Sequence, residues 1–327
     1  MPGSLASDFK LYEEQYFGGM FDRIQQVIKA FNGNSANTIR LSSRVIPANF
    51  NRESIFKKIA DMITRRDITN IDPLTDKILE QDELVGVKLN RTAGPVSSTL
   101  DAWKKIAKDP LEFSFFLGQM YGEAKLQDMI NTAILAIESA ISGQSDLNFD
   151  ATAETIKTST HTHLVSGISK LGDQASRIAA FVMHSKPYYD LVKQAIGDKI
   201  FEVAGAVIYS GTVATFGKPT LVMDSPALHD ANGSHTDTYN ILGLTEGAID
   251  VVESEQETVA FDMVTGLANL MYRYQAEYAY NISVKGMRWD TQNGGVNPSN
   301  ATLGTGSNWI KVLSDIKSLG GVRIKVQ

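Results

Sequence analysis

Apolar residues recur at three- and four-residue steps from Phe9 through Tyr12, Tyr16, Met20, Ile24 and Ile28 to Phe31. This spacing predicts an amphipathic N-terminal helix with one apolar stripe, broken by Gly33. The period then changes. Residues 37–46, NTIRLSSRVI, read as a strand whose Arg40 and Arg44 share a face, whereas NRESIFKKIADMITRRD (51–67) opens on Asn51 as a cap and reads as a helix. ELVGVKLNRTAGPVSS (83–98) is strand-like again, ended or bent at Gly94-Pro95. The strands of 36–100 are polar on both sides. A region with so little core of its own needs another surface, and a neighbouring subunit supplies one.

Helical spacing returns in DPLEFSFFLGQMYGEAKLQDMINTAILAIESAIS (109–142), with Pro110 in the first turn and Gly143 just past the end. One helix on the order of 50 Å long follows at 1.5 Å per residue. Its apolar stripe is too broad for a two-stranded coiled coil, so it is expected to pack on a sheet or on other helices. Residues 163–224 alternate in type: a short helix (HLVSGISKLG), a strand (RIAAFVMH), a helix (KPYYDLVKQAI), then strands including VAGAVIYS and PTLVMD, which together predict an α/β lobe. ETVAFDMVTGLANLMYRYQAEYA (257–279) reads as a helix running into a strand at YNISVKGMRWD (280–290). A Gly/Asn/Ser/Thr-rich stretch (291–308) and the segment NWIKVLSDIKSLGGVRIKVQ close the chain.

Composition narrows the classes. At 327 residues the chain exceeds the roughly 250–300 at which one core gives way to two, so two lobes are expected. With 43% hydrophobic and 21% charged residues it should fold as an ordinary globular protein. A formal net charge of −6 disfavours general binding to nucleic acid or anionic membranes, although an acidic protein can enclose nucleic acid without sticking to it. The absence of cysteine excludes disulfide scaffolds, thiol enzymes and thiolate metal sites, and fits assembly in a cytosol. The N-terminal residues lack the pattern of a secretory signal and no run approaches ~20 consecutive apolar residues, so neither export by that route nor a membrane span is expected.

Candidate chemistry is sparse. In FVMHSKPYYDLVK (181–193), His184, Ser185 and Asp190 offer a base, a nucleophile and a carboxylate, the elements of an α/β hydrolase. Adjacent residues at a strand end project to opposite sides, however. Ser185 fits as a helix cap and Pro187 fits the first turn, with Tyr188, Leu191 and Val192 inward and Asp190, Lys193 and Gln194 outward. His161 and His163 would face one way on a strand, as two zinc ligands do, but His229 and His235 lie in a loop of no fixed geometry. Gly304-x-Gly306 is followed by Trp309 where a dinucleotide fingerprint needs glycine, and neither a Walker-type loop nor a GxSxG is present. Tyr272, Tyr274, Tyr278 and Tyr280 are read as packing of a helix-to-strand junction rather than a stacking row for bases. No cofactor, metal or catalytic residue is assigned, and the chain is read as a non-enzyme.

The order of elements, with the phrases RRDIT (65–69), VGVKLNRTAGPV (85–96), KLGDQASRIAAFVMHSKPYYDLVK (170–193), FGKPTLVMDSP (216–226) and NWIKVLSDIKSLGGVRIK (308–325), resembles the major capsid proteins of tailed bacteriophages with the Hong Kong 97-like fold. The resemblance implies an α+β capsid fold. Its parts would be an N-terminal arm (1–35), an extended E-loop (36–100), a peripheral domain with a long spine helix (101–143 and 256–327) and an axial α/β domain (144–255). It implies a virion shell built of hexamers and pentamers around double-stranded DNA, assembled in the host cytoplasm. A separate scaffolding protein and a portal would be partners, and a decoration protein has room outside. Some relatives begin with a removable scaffolding segment, whereas the arm here starts within the first ten residues. Others cross-link through Lys and Asn, and no residue here is identified with that chemistry. Arg40, Arg44, Arg65, Arg66 and Asp67 are the expected intersubunit contacts. An encapsulin-type compartment is the alternative within the same fold, and a hydrolase or metal enzyme the alternative outside it.

Overall fold

The computed structural model describes residues 6–327 apart from 45, 58–62, 64, 66, 67, 70, 72, 74, 75, 77, 80, 100–109, 203–215, 232–235 and 314; side chains are further undescribed at 6–14, 26, 27, 30, 34, 110–113, 195–202, 256, 263 and 272. The amphipathic pattern at the start forms α1 (Ala6–Asn34), and the long apolar pattern forms α2 (Pro110–Ser142), a single helix with the predicted bounds. Tyr16, Met20 and Ile24 of α1 are buried against α2. The two helices approach closely because glycines face the crossing. A Cβ added at Gly118 would lie 2.3 Å from the Tyr16 carbonyl oxygen, and one at Gly19 would lie 2.6 Å from that of Phe115.

Two sheets flank the C-terminal half of α2, which is why Ala133, Ile134, Ala136, Ile137, Ala140 and Ile141 are all buried rather than one stripe of them. The first sheet has the order β1-β9-β10-β3-β2. In it β1 (Ile39–Ser43) runs parallel to β9 (Ile249–Val264), while β10 (Met271–Val284) is antiparallel to both β9 and β3 (Gln81–Thr99). The second has the order β4-β13-β8-β5-β6, joining Asn148–Asp150, Gly321–Val326, Thr238–Thr245, Ile178–Met183 and Thr220–Val222, with β7 (His229–Asp230) paired to β8. Helices α3 (His161–Ile168) and α4 (Ser185–Glu202) precede and follow β5, the α/β alternation read from the sequence. The VAGAVIYS strand expected within 203–210 lies outside the described residues. A small third sheet pairs β11 (Met287–Trp289) with β12 (Trp309–Lys311), with the indoles of Trp289 and Trp309 5.0 Å apart and α5 (Asn300–Leu303) beside them.

Two expected helices are strands. Residues at the head of 51–67 form β2 (Phe50–Phe56), which pairs antiparallel with β3 from Phe50↔Val87 to Phe56↔Gln81. The other edge of β3 needed a partner, and that ladder outweighs a cap and a weak helical spacing. The stretch 257–279 is the far half of a long hairpin, with β9 running to Val264 and β10 resuming at Met271. Val259 and Phe261 alternate with Thr258, Ala260 and Asp262, a two-residue period that was present in the sequence and is packed against the core. Gly94-Pro95 bends β3 without ending it: the strand continues to Thr99 and the register with β10 shifts between Tyr274 and Ala276, with Gly94 at φ +92°. Nor is 36–100 polar throughout, since Val85, Val87 and Leu89 are buried in the hydrophobic core.

Alanine at an exposed helix glycine stabilises by up to about 1 kcal/mol. At the α1–α2 crossing the sign reverses. Gly118→Ala is expected to destabilise the subunit by about 1–3 kcal/mol, because the added methyl overlaps the Tyr16 backbone. Denaturant midpoints of the variant against wild type measure it.

Candidate assembly surfaces

A buried polar seam ties α1, α2 and the β9–β10 hairpin together. The Lys125 side chain of α2 is 2% exposed; it is ion-paired with Glu253, its Nζ lies 3.4 Å from Glu257 Oε2, and it sits over the Tyr278 ring at 5.2 Å. One turn on, Asp128 Oδ2 accepts hydrogen bonds from the hydroxyls of Tyr278 at 3.0 Å and Tyr280 at 2.9 Å. Arg91 of β3 approaches the same carboxylate at 3.4 Å and donates to Asn300 Oδ1 at 2.7 Å. On the arm side the hydroxyls of Tyr16 and Tyr274 share a 2.5 Å hydrogen bond. Burial pushes the Tyr280 hydroxyl up to about 12, assisted by Asp128, and pushes those of Tyr16, Tyr121, Tyr274 and Tyr278 higher still. Tyr274, Tyr278 and Tyr280 therefore serve as neutral cross-links of the core, as packing residues, but on a strand and not at a helix-to-strand junction.

Apolar side chains are exposed in the 56–80 excursion. Ile63 and Ile71 are 93% and 97% exposed, and Phe56, Ile68, Ile78 and Leu79 are also exposed. At the root of this excursion Asp82 is held by Lys57 and by Arg288, each at 3.2 Å, and the Glu83 N–H beside it lowers its carboxyl below the usual range. Smaller exposed apolar groups occur at the end of the hairpin, with Val96, Leu267 and Leu270, and on the first half of α2, with Phe115, Phe116 and Met120. Exposed apolar residues grouped in one segment mark a surface that meets another molecule, whereas single ones do not.

Among the expected contact residues, Arg40 faces solvent on β1 and reaches Glu246 at 3.4 Å. It lines a charged cleft with Glu53, Arg177, Glu246, Asp250 and Lys285. Burial raises the Asp250 carboxyl, and burial together with Arg177 and Arg40 lowers the Lys285 ammonium. Arg44 and Arg65 are exposed, while Arg66 and Asp67 lie outside the described residues.

His161 and His163 begin α3 rather than a strand; Thr160 Oγ1 caps that helix by accepting from the His163 N–H, and His161 Nδ1 lies 3.0 Å from Gln194 Oε1, so Gln194 points toward a partner. The His229 ring stacks on Tyr239 at 4.9 Å and lies 5.6 Å from His184, with Asp237 at 3.2 Å; His235 lies outside the described residues. His184, not Ser185, occupies the capping place before α4. Its Nδ1 accepts from the Lys186 N–H at 3.3 Å, Asp224 accepts from the Ser185 N–H at 3.0 Å, and Asp190 is ion-paired with Lys186. Asp224 Oδ1 lies 3.3 Å from His184 Nδ1, but Ser185 Oγ approaches that same nitrogen at 3.4 Å, so carboxylate and hydroxyl do not sit on opposite ring nitrogens as in a triad, and Asp190 is turned to Lys186. Among the described residues no group of three or more His, Cys, Asp or Glu is placed to hold a metal ion.

These surfaces and two sheets about one long helix define a class, the Hong Kong 97-like capsid fold. The capsid asymmetric unit of cyanophage Pam1 aligns with 12% identity over 90% of this chain and 91% of that one, with a TM-score of 0.53. The acid-stable capsid structure of Helicobacter pylori bacteriophage KHP30 aligns with 9% identity over 90% and 89%, with a TM-score of 0.51. Identities this low speak to fold alone. A comparison with curated protein sequences finds no match. The family model for Gp13-like proteins, described as major capsid protein 13-like, matches residues 8–323, and the chain belongs to that family. It is a head shell protein of a tailed phage, a structural subunit and not an enzyme. No helix of the described residues is long and apolar enough to cross a membrane.

Two substitutions test the site assignments. Lys125→Met leaves Glu253 and Glu257 without their cation and should cost about 3–5 kcal/mol, read as a lower denaturant midpoint. Val182, 1% exposed in β5, should lose about 2–3 kcal/mol on truncation to alanine. His184→Ala should cost only about 1 kcal/mol, the worth of a helix cap. The reverse order in thermal melts would restore a functional reading of His184.

Proposed function

We propose that the subunit closes into an icosahedral shell around double-stranded DNA by laying its 57–80 segment across a neighbouring subunit. The observation that carries this is the near-complete exposure of Ile63 and Ile71, with Ile68 and Ile78 close behind, in a segment rooted by Asp82. Burying each such side chain is worth roughly 1.5–3 kcal/mol. Contacts this weak become decisive when every subunit of a closed shell makes them. Arg40, Arg44 and Arg65, with Arg66 and Asp67, are the polar contacts in this reading. A wall of net charge −6 encloses a genome without adhering to it.

The domain reading follows the same frame: 1–35 as the arm, 36–100 as the E-loop region, 101–143 and 256–327 as the peripheral domain and 144–255 as the axial domain, with Gly321–Val326 crossing into the axial sheet. Assembly takes place in the host cytoplasm on a separate scaffolding protein and around a portal, and a decoration protein has access to the outer face. Absence of cysteine suits a shell built in a reducing compartment.

Negative-stain microscopy of the purified protein should show capsomers or shells, and nuclease-protected DNA should be found inside native particles. A single defined cargo protein in place of DNA would instead indicate an encapsulin-type compartment. Replacing Ile68, Ile71 and Ile78 together with serine should abolish shells while leaving the circular dichroism and melting of the free subunit unchanged. Boiled particles should run as one band at 35.8 kDa, and a ladder would reveal covalent cross-links.

A further inference from the structure

The buried seam holds more negative charge than its cation can neutralise. Lys125 is a single ammonium, and both Glu253 and Glu257 lean on it. Glu253 is partly exposed and can be solvated. The Glu257 side chain is only 4% exposed, and its Oε1 has no hydrogen-bond partner. The Tyr121 hydroxyl, also buried and without a well-formed partner, interacts with this carboxylate. Groups facing Glu257 come from every side: Tyr16 from α1, Tyr121 and Lys125 from α2, Tyr274 from β10, and Glu253 from β9 itself, while Tyr278 lies under Lys125 with Asp128 and Arg91 of β3 beyond it. Apart from Lys125 and the more distant Arg91, these are neutral or acidic.

An isolated buried carboxylate atom is costly, and the simplest way to satisfy it is a proton. We propose that Glu257 carries a proton in the folded subunit, shared with the Tyr121 hydroxyl, and that this proton is a pH-sensitive latch on the N-terminal helix. The latch reaches α1 through contact. Tyr121 packs on the rings of Tyr16 at 6.0 Å and Tyr274 at 6.2 Å, the two residues whose hydroxyls join the arm to the hairpin. Loss of the proton gives Lys125 two carboxylates to serve and leaves one negative charge uncompensated beside that joint.

Burial raises the Glu257 carboxyl above its ordinary value of 4.5, and the opposing pulls of Lys125 and the Tyr121 hydroxyl do not cancel it. The folded state therefore binds more protons than the unfolded state over this interval. Stability is fully present below the unfolded value and is lost as pH rises through the folded one. Acidification tightens the arm and alkalinisation loosens it.

Hydrogen-exchange mass spectrometry of the full-length protein as assembled particles, across a pH series corrected for intrinsic exchange, reads this on peptides covering residues 16–28. Protection in wild type should fall with rising pH, by at most about tenfold per pH unit while one proton is released. Glu257→Gln should keep the acid-side protection and lose the pH dependence. Glu253→Gln gives Lys125 wholly to Glu257 and should move the fall to lower pH. Infrared difference spectra should show a protonated carboxyl in wild type that is missing in Glu257→Gln. Equal pH dependence in wild type and Glu257→Gln, or the absence of the carboxylic acid band, overturns the proposal. If the Gln variant fails to fold, the wild-type band and the Glu253→Gln shift decide it alone.

Discussion

Everything in this subunit is built on one helix that has to satisfy two sheets. Along the C-terminal half of α2 the apolar positions are buried nearly all round, because β9 and β10 cover one side and β13, with the turn at 226–228, covers another. A helix of 33 residues with a single apolar stripe would stand at the surface. Here α2 is a wall common to both sheets, so their relative placement depends on the packing of Ala133, Ile134, Ile137 and Ile141. Small residues alternate with large ones there, which lets backbone and strands come close without voids.

The N-terminal half of the same helix is treated differently. Glycines at the α1 crossing bring backbone against backbone, and the polar seam just beyond uses Lys125, Asp128 and a set of tyrosines to hold helix, arm and hairpin in register. Apolar packing alone is tolerant of small sliding. Hydrogen bonds and buried charge are not, since each misalignment strands a group away from water. Outside this frame the subunit leaves Phe56 and a series of isoleucines in water, a state that makes sense for a molecule whose final burial occurs between copies.

Elements with a strong and long period were legible in the chain. Both long helices, the strand at 178–183 and the helix after it follow from spacing and from Pro110, Gly143 and Pro187, and the resemblance of whole phrases pointed to the fold. The two misread helices share a cause. In FNRESIF the pattern is short and half exposed, so an edge-strand ladder with β3 settles it; in ETVAFDMV the alternation was there but was masked by a run of helix-tolerant residues into the tyrosines. The exposed isoleucines could have been found as an apolar excess in a segment without a core. Partners of single side chains, such as Lys125 with two glutamates, left no local signal, because they join residues 128 and 132 positions apart.

Periodicity, composition and turn residues are local properties, and they were enough for the helical frame, the absence of thiol chemistry and the kinship of fold. Strand pairing is not local. That β1 lies parallel to β9, that the final strand inserts between β4 and β8, and that one ammonium must serve two carboxylates depend on which distant segments meet. Those meetings are chosen by the closure of both sheets on α2, a condition satisfied by the whole chain at once.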